Sequence, residues 1–358
     1  MDIDSLRRKI DEIDGQILRL INERLEIAQS IGRAKGESGT DYYAPKRERD
    51  VYERVLAANP GPLKPEGARA IFREIMSATL ALEKPIHVAY WGPEGTFTHQ
   101  AAIEKFGASS GYLPVPSIAD VFAEVQKGRA DYGVVPIENS TEGIVNHTLD
   151  MFVDSDLKIC SEISIEIHHC LLGRGEMSDV RRVYSGPQPF AQCRNWLDGN
   201  LPHVEQVEVS TTSRAAQVAA AEEKAAAIAG SLAADIYDLD VLAERIEDSQ
   251  TNVTRFLVIG HNWAEPSDRD KTSIMFSIKD RVGALYQMLV PFKAHDINLT
   301  RIESRPSKRK AWDYFFFVDL SGHCEDSRVR LALSELEEQC LFLKVLGSYP
   351  VSEGSPDS

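Results

Sequence analysis

The chain has 358 residues, 43% of them hydrophobic, and a formal net charge of -15. Its length suits two or three domains with proper cores, its hydrophobic share is that of an ordinary soluble globular protein, and its acidic balance argues against nucleic acid as the main partner. An anionic ligand has to be met by locally placed Arg and Lys against an unfavourable overall field.

Met1 to Lys9 is charged, no leader-like apolar stretch follows, and no apolar run approaches the roughly 20 residues of a spanning helix. A cytoplasmic protein with no membrane association is expected. The cysteines Cys160, Cys170, Cys193, Cys324 and Cys340 never form C-x-x-C and read as reduced core residues. His168 and His169 are adjacent, so on a strand they point to opposite faces, and H-E-x-x-H is absent. Neither a metal nor a cofactor is expected.

From Leu6 the apolar positions run Leu6, Ile10, Ile13, Ile17, Leu20, Ile27 and Ile31, an alternation of four and three with one gap. This predicts a helix from Ser5 to about Lys35 with a packing seam. The residue in the gap is Arg24, and a charge in a seam is costly unless something pairs with it. Lys35 lies eleven positions further on, and at about 100° per residue the two point within roughly 20° of each other, while Arg7 is about 100° off that line. Such a helix, roughly 45 Å long, outreaches the helices predicted over Pro45 to Ala58 and Pro65 to Glu83, and is expected to pair with a second copy of itself. The second helix carries Arg47 and Glu48, and the third carries Thr79 and Glu83 four apart on one face. Arg24 either pairs with Glu48 or Glu83 across the helices or joins Lys35 in a cationic line.

The strings Leu6-Arg7-Arg8-Lys9-Ile10, Glu23-Arg24, Gly32-Arg33-Ala34-Lys35 and Arg47-Glu48-Arg49 resemble the all-helical chorismate mutases, which are interlocked dimers. The resemblance covers residues 1–84 and implies that Arg7, reaching across to the other subunit's pocket, and Arg24 bind the two carboxylates of chorismate. It further implies that Lys35 and Glu83 act at the ether oxygen, that Glu48 binds the ring hydroxyl, and that Arg47 and Thr79 line the pocket. The chemistry suits this set. A unimolecular rearrangement to prephenate needs no nucleophile, only a held conformer and donors to the charge developing on the ether oxygen. Two positions depart from the family pattern. Many members carry Gln where Glu83 stands, and a carboxylate must be protonated before it can donate, so mutase activity is expected to decline as pH rises. Ala44 stands where some members have Asp, which leaves a backbone N–H for the substrate hydroxyl.

At Pro85 the texture changes to alternating strands and helices, which predicts an open α/β sheet with ligands at the carboxyl ends of its strands. Ile86 to Tyr90 reads as a strand, followed by the loop Gly92-Pro-Glu-Gly-Thr-Phe-Thr98 and a helix from about His99. A helix from Ile118 to Lys127 precedes an apolar strand, Gly133 to Ile137, that passes straight into Glu138, Asn139, Ser140, Thr141 and Glu142. That run either delivers polar groups to a binding site or leads to a helix capped by Ser140 or Thr141. Pro187 to Leu197 reads as one helix, and Val204 to Val209 as a strand leading into Ser210-Thr-Thr-Ser213 and a long Ala-rich helix. Thr254 and Arg255 open a strand that runs from Phe256 to Ile259. Hydroxyl and amide donors thus gather round one cation, Arg255, which suits a small dianion. There is no P-loop and no G-x-G-x-x-G, so no nucleotide is implied.

Five strings, Gly92 to Thr98, Asp131-Tyr-Gly-Val-Val-Pro-Ile-Glu-Asn-Ser140, His169-Cys-Leu171, Tyr184-Ser185 with Pro187-Gln188, and Thr254-Arg-Phe256, look like prephenate dehydratase, in family order over residues 85–261. The resemblance implies a two-lobed α/β fold like that of type II periplasmic binding proteins, substrate in the interlobe cleft, and an essential Thr254. The reaction expels the ring hydroxyl with carbon dioxide and leaves phenylpyruvate. Aromatisation drives it, so the enzyme chiefly donates to the departing hydroxyl and positions the carboxylates. Thr254 is the expected donor, Asn139, Ser140, Thr96 and Thr212 are positioning donors, and Phe256 is a further substrate-binding position. Arg255 either holds a carboxylate or braces the strand. Gly186 stands where many relatives have His, so any part that side chain plays is missing here.

After the polar linker Asn262 to Asp270 the order is strand (Thr272 to Ile278), helix (Gly283 to Ala294), strand (Leu299 to Glu303), strand (Trp312 to Leu320), helix (Arg328 to Gln339) and strand (Leu341 to Tyr349), a ferredoxin-like α+β pattern over residues 271–350. Gly283-Ala-Leu285 and Glu303-Ser-Arg-Pro306 look like the phenylalanine-binding motifs of the ACT domains attached to prephenate dehydratases. The resemblance implies an ACT dimer that binds L-phenylalanine through Gly283, Ala284, Leu285, Glu303, Ser304 and Arg305 and closes down the dehydratase. Tyr286 stands where relatives often have Val, which leaves effector selectivity open. Pro350 to Ser358 reads as a disordered tail.

The expected protein is therefore multidomain, with an all-α three-helix domain, a two-lobed α/β domain and an α+β ACT domain. It is expected to form a homodimer or a higher oligomer, to act on chorismate and prephenate in L-phenylalanine biosynthesis, and to answer to phenylalanine. Two readings compete with this one: an amino-acid-sensing or solute-binding protein without chemistry, and a dehydratase whose mutase domain is weakened by Glu83 and Ala44.

Overall fold

The computed structural model describes residues 2–38, 43–249, 251–279, 281–306 and 314–352, the side chains of residues 35–38 excepted. The chain divides into two compact units, one of Met1–His87 with Lys105–Gly111 and one of Val88–Glu104 with Tyr112–Ser358.

The first unit is built on α1 (Ile3–Ser38), α2 (Pro45–Ala58) and α3 (Pro65–Glu83), with α3 packed on both others. Pro45 and Pro65 each stand in a first helical turn, where a fixed φ favours helix and a missing N–H costs nothing. α1 is a single helix, roughly 54 Å long at 1.5 Å per residue. Its seam is largely bare in the protomer: Ile10, Ile17, Leu20 and Ile27 keep 50–58% of their surface exposed.

The elements that follow are β1 (His87–Trp91), α4 (Phe97–Phe106), β2 (Gly111–Val115), α5 (Ile118–Gln126), β3 (Tyr132–Asn139), β4 (Gly143–Ile144), α6 (Asn146–Asp154), β5 (Lys158–Glu166), β6 (Cys170–Gly173), β7 (Arg182–Ser185), α7 (Pro187–Gln192), α8 (Arg194–Asn200), β8 (Glu205–Glu208), α9 (Thr212–Ala221), β9 (Ala225–Ala229), α10 (Leu232–Tyr237), β10 (Asp240–Ala243) and β11 (Val253–Gly260). The C-terminal part comprises β12 (Asp270–Ser277), α11 (Ala284–Ala294), β13 (Leu299–Pro306), β14 (Tyr314–Ser321), α12 (Ser327–Glu337) and β15 (Phe342–Pro350).

One sheet has the order β2-β1-β3-β11-β5, with β11 antiparallel between β3 and β5 and with β4 folded back on the end of β3. The apolar run in β3 belongs to a strand covered on both faces, and Val134, Val135 and Ile137 are fully buried. A second sheet has the order β10-β6-β9-β7-β8. Its β9 is all alanine and isoleucine, and Ala215, Ala216 and Ala219 of α9 pack on it, small side chains letting the helix lie close. The chain passes between these two sheets twice, through residues 167–169 and through residues 244–252. The Ile167 N–H donates to the Asn252 carbonyl at 2.7 Å and ties the crossings together.

The third sheet, β13-β14-β12-β15, is antiparallel throughout, and alternation along its strands sends residues to opposite faces. Ile274 and Phe276 meet Met288, Phe292 and Leu333 of α11 and α12. Met275, Phe317, Leu346 and Tyr349 share a core with Ile137, Phe152 and Leu257 of the first sheet. The approach is closest at Gly347, where a Cβ would lie 2.1 Å from the Ile159 carbonyl oxygen.

Several expectations need correction. The polar linker from Asn262 is packed against the C-terminal part, since Ala264 is buried, its N–H donates to the Ser348 carbonyl and its carbonyl accepts from His323 Nε2. Ser140 and Thr141 cap no helix: a turn and β4 follow β3 instead, and Asn139 organises that turn. The helix expected over Pro187 to Leu197 breaks at Cys193, where the Asp248 carboxylate caps α8 by accepting from the Asn195 and Trp196 N–H groups. Trp312, where a strand was expected to begin, and the tail from residue 353 lie outside the described residues.

Candidate active sites

In the first unit α1, α2 and α3 enclose a cavity of about 270 Å³, near the lower end of the size range of small-molecule sites. Arg24, Ala44, Arg47, Glu48, Thr79 and Glu83 all line it, so the structure brings together six of the eight residues expected there. Arg24 Nη1 donates to Thr79 Oγ1 at 2.6 Å, and the Thr79 hydroxyl donates to the Ile75 carbonyl at 2.7 Å. Burial, then the neighbouring Arg47, pushes the Arg24 pKa below the ordinary arginine value, while Glu83 opposes them. Gly32 makes room for Glu83: a Cβ there would lie 2.8 Å from Glu83 Cγ. Arg7 does not line the pocket of its own protomer and pairs with Asp4 at 3.5 Å on the exposed surface. The Lys35 side chain lies outside the described residues.

Among the lining residues that were not anticipated, Tyr43, Lys105 and Phe106 form one group. Tyr43 and Lys105 both donate to Glu48 Oε2, at 3.3 and 3.0 Å, and Phe106 packs on Tyr43 with ring centroids 5.1 Å apart. Lys105 and Phe106 stand at the end of α4, beyond a strand boundary, so no helical periodicity in the first three helices points to them.

The second site lies where the two α/β sheets exchange chain. Pairing of β3 with β11 sets Asn139 opposite Thr254, and Asn139 Nδ2 donates to Thr254 Oγ1 at 2.7 Å and to Asn252 Oδ1 at 2.7 Å. Because Thr254 Oγ1 is the acceptor in that bond, its own hydrogen is the one left to donate. Asn139 Oδ1 accepts from the Thr141 hydroxyl and from the N–H groups of Thr141 and Glu142, which fixes the amide orientation. Asn252 Nδ2 donates to Gln192 Oε1 at 3.3 Å, and the same oxygen takes His169 Nε2–H at 2.7 Å. An amide oxygen only accepts, so Nε2 carries the proton and Nδ1 is bare; Nδ1 is buried without a partner among the described residues. Burial holds the His169 pKa below the ordinary imidazole value against the opposing hydrogen bond that the ring donates to Gln192. Phe97 meets the ring edge-on at 5.6 Å.

Asn252, Gln192, His169 and Phe97 therefore join a site that the sequence drew with Thr254 as donor and Asn139, Ser140, Thr96 and Thr212 as positioning donors. His169 opens the string His169-Cys-Leu171, in which the sequence alone assigns it no role. Gln192 becomes available because the helix breaks after it.

Other expected members are placed differently. Ser140 uses its hydroxyl to donate to the Thr251 carbonyl at 2.9 Å and to accept from the Val253 N–H at 3.0 Å, so it fixes the segment carrying Thr254. Phe256 is 2% exposed and belongs to the interior. Arg255 is buried, with Nη1 3.2 Å from Asp319 and 3.3 Å from Glu162, and Nη2 3.3 Å from Glu138. These ion pairs fit the bracing alternative. Burial works against its charge, and Asp319, Tyr349, Glu162 and Glu138 outweigh that and raise its pKa. Thr96 caps α4, accepting from the His99 N–H, and Thr212 opens α9, which Thr211 caps. The hydrogen-bond chain through Thr254 includes neither of them among the described residues.

In the C-terminal domain Gly283 precedes α11 at φ +76°, a conformation suited to glycine, with Ala284 buried and Leu285 exposed. Glu303, Ser304 and Arg305 lie on the edge strand β13, and Arg305 Nη2 is 3.2 Å from Asp150 of α6. Among the described residues no cluster of His, Cys, Asp and Glu could hold a metal ion, and no helix is long and apolar enough to cross a membrane.

Comparison with known proteins finds three family matches along the chain. Residues 6–84 match the family model for chorismate mutase type II, residues 88–264 that for prephenate dehydratase, and residues 272–338 that for the ACT domain. The bifunctional chorismate mutase/prephenate dehydratase of Aquifex aeolicus is 52% identical over 98% of both chains. Among solved structures, a prephenate dehydratase from Arthrobacter aurescens is 36% identical with a TM-score of 0.69, covering 74% of this chain and 90% of that one. GqqA, described as a novel type of quorum-quenching acylase, is 28% identical with a TM-score of 0.70, covering 75% of this chain and 99% of that one. The chain belongs to the family of bifunctional chorismate mutase/prephenate dehydratases with a C-terminal ACT domain, and so catalyses both the conversion of chorismate to prephenate and that of prephenate to phenylpyruvate.

Proposed function

We propose that the rearrangement of chorismate proceeds in the helical pocket, that prephenate loses water and carbon dioxide beside Thr254, and that L-phenylalanine bound by the ACT domain restrains the second reaction. The corresponding modules are residues 1–84, 85–261 and 271–350, acting in the cytoplasm. In the first site Arg24, aimed by Thr79, and Arg7 of the partner subunit bind the two carboxylates. Glu48 and the Ala44 N–H hold the ring hydroxyl, Arg47 adds positive charge, and Lys35 with protonated Glu83 donates to the ether oxygen. One C–O bond breaks as one C–C bond forms, so no proton enters or leaves, and orientation with charge stabilisation is the whole task.

In the second site Thr254 donates to the departing hydroxyl. The C–O bond breaks with its electron pair on oxygen, the carboxylate leaves as carbon dioxide, and its electron pair completes the aromatic ring. The hydroxyl takes up one proton, ultimately from solvent, and leaves as water. The observation that carries this assignment is the bond from Asn139 to Thr254 Oγ1, which commits that oxygen as acceptor and leaves its hydrogen for the substrate. Asn252, Gln192 and neutral His169 keep Asn139 in that orientation.

The feedback reading is supported by the Arthrobacter aurescens dehydratase, which is described in complex with L-Phe, and by the ion pair joining Arg255 to Asp319 of the ACT sheet. Gly283, Ala284, Leu285, Glu303 and Ser304 form the effector site, with Arg305 shared between effector and Asp150. A homodimer is supported by the bare seam of α1 and by the exposed side chains of Val282, Leu285, Tyr286, Val290 and Ile302 in the ACT domain.

The test is to give the purified chain chorismate or prephenate and to follow phenylpyruvate with and without phenylalanine. Product from both substrates, slowed by phenylalanine, is expected. Product from prephenate alone would remove the mutase assignment, and indifference to phenylalanine would remove the feedback.

A further inference from the structure

We infer that Lys105 is a positioning residue of the mutase, holding Glu48 in place for the substrate hydroxyl although it lies outside the mutase module. The match to the mutase family ends at residue 84, yet Lys105 lines the mutase pocket and belongs to the same compact unit as its three helices. Lys105 Nζ donates to Glu48 Oε2 at 3.0 Å, and both side chains of the pair are less than one-fifth exposed. Tyr43 donates to the same oxygen, so the contacts of Glu48 among the described residues leave Oε1 for a ligand hydroxyl. Lys105 Nζ also stands 5.8 Å from the centre of the Tyr43 ring, and Phe106 packs on that ring, so the end of α4 forms a fixed wall.

The charge of Lys105 has two consequences. It compensates Glu48, which otherwise presents an unpaired carboxylate to a substrate that is itself a dianion. It also locks the Glu48 rotamer, because a charge-assisted hydrogen bond to one oxygen fixes the direction of the other. Both effects act on bound chorismate and on the transition state alike, so their loss appears chiefly in KM.

The inference rests on the role of Glu48 in the pocket, and the experiment separates the two. In the full chain, Lys105→Met keeps the aliphatic stem and removes the charge, Lys105→Arg keeps the charge, and Glu48→Gln removes the acceptor carboxylate. Lys105→Met is expected to lower mutase kcat/KM about tenfold or more, the loss that follows removal of a charge-assisted hydrogen bond, mainly through KM. Lys105→Arg is expected to retain most of the activity, and turnover of added prephenate is expected to be unchanged in both. In the Glu48→Gln background the Lys105→Met effect should shrink to about twofold, since a residue acting through Glu48 has nothing left to act on. Parent-like kcat/KM in Lys105→Met beside an impaired Glu48→Gln overturns the inference alone. Equal losses in the Met and Arg variants overturn it too, because the charge is then irrelevant. An unimpaired Glu48→Gln overturns the assignment of Glu48 itself, and this inference with it.

Discussion

Asp319 on β14 lies 3.2 Å from Arg255 on β11, so the residue next to Thr254 is held by the ACT sheet. The pair sits in a buried network. Lys271 Nζ lies 3.3 Å from Glu162, Ser273 donates to Asp319 at 2.6 Å, and Arg301 Nη1 is 3.5 Å from Glu138, which is next to Asn139. Burial opposes the Asp319 charge, and Arg255, Lys271 and Arg301 overcome it and hold its carboxyl below the usual range. The ACT domain thereby grips the neighbours of both members of the Asn139–Thr254 hydrogen bond.

Asp319→Asn keeps the shape and removes the charge facing Arg255. Breaking a buried pair by deleting one partner is strongly destabilising, and on the order of 3 kcal/mol is expected here, since Glu162 and Glu138 remain. Thermal denaturation should register it, and inhibition of the dehydratase by phenylalanine should weaken while mutase turnover persists. A variant with the parent's melting curve and inhibition curve would deny the pair both roles.

Thr254→Ala removes the donor to the leaving hydroxyl, and dehydratase kcat is expected to fall by about 10²–10⁴, with KM for prephenate little altered. Thr254→Ser keeps the hydroxyl and should recover much of the rate. If Ala and Ser are equally poor in steady-state assays, the methyl group and not the hydroxyl carries the effect.

His169 and His99 are both buried, and burial lowers the pKa of each. His99 Nδ1 accepts from the Gly95 N–H at 3.1 Å, a bond that needs the neutral ring. The unfolded imidazole titrates near its ordinary value of about 6.5, so above that pH the two states bind the same protons. As pH falls from about 6.5 towards the lower folded values, the unfolded chain takes up protons that the folded one refuses, and stability is lost. Melting curves between about pH 7.5 and 5.5 should show a falling midpoint, and the fall should be shallower in His99→Asn, which keeps an acceptor but cannot titrate. A pH-independent midpoint would contradict the account.

Glu83 lines the mutase pocket, and only its protonated form donates to an ether oxygen. Mutase kcat/KM should therefore fall as pH rises, and Glu83→Gln should flatten the profile while preserving activity at low pH. Identical profiles for the two proteins would leave no donor role for this side chain.

Much of this was written locally. The four-three spacing of Leu6 to Ile31 gave α1, and the apolar run of β3 ending in Glu138 and Asn139 marked the strand that serves the second site. What stayed hidden was what distant segments bring together. Asp319 reaches Arg255 across a separation of 64 residues, and the stacking of two sheets brings the pair together. Asn252 and His169 lie in the two crossings between sheets, and their meeting with Gln192 of α7 is a fact of topology with no periodic trace. Cys193 ends a helix that its neighbours would have continued, because Asp248 caps the next one from elsewhere.

The first unit is discontinuous along the chain, Met1–His87 being joined by Lys105–Gly111. Its pocket wall returns after an intervening stretch of residues 88–104 that belongs to the other unit, so a cut after residue 84 would leave Lys105 and Phe106 on the far fragment. A fragment of residues 1–84 would keep the lining residues of the three helices and lack the two that α4 supplies. The fusion is thus better described as a shared helix than as two tenants on one chain.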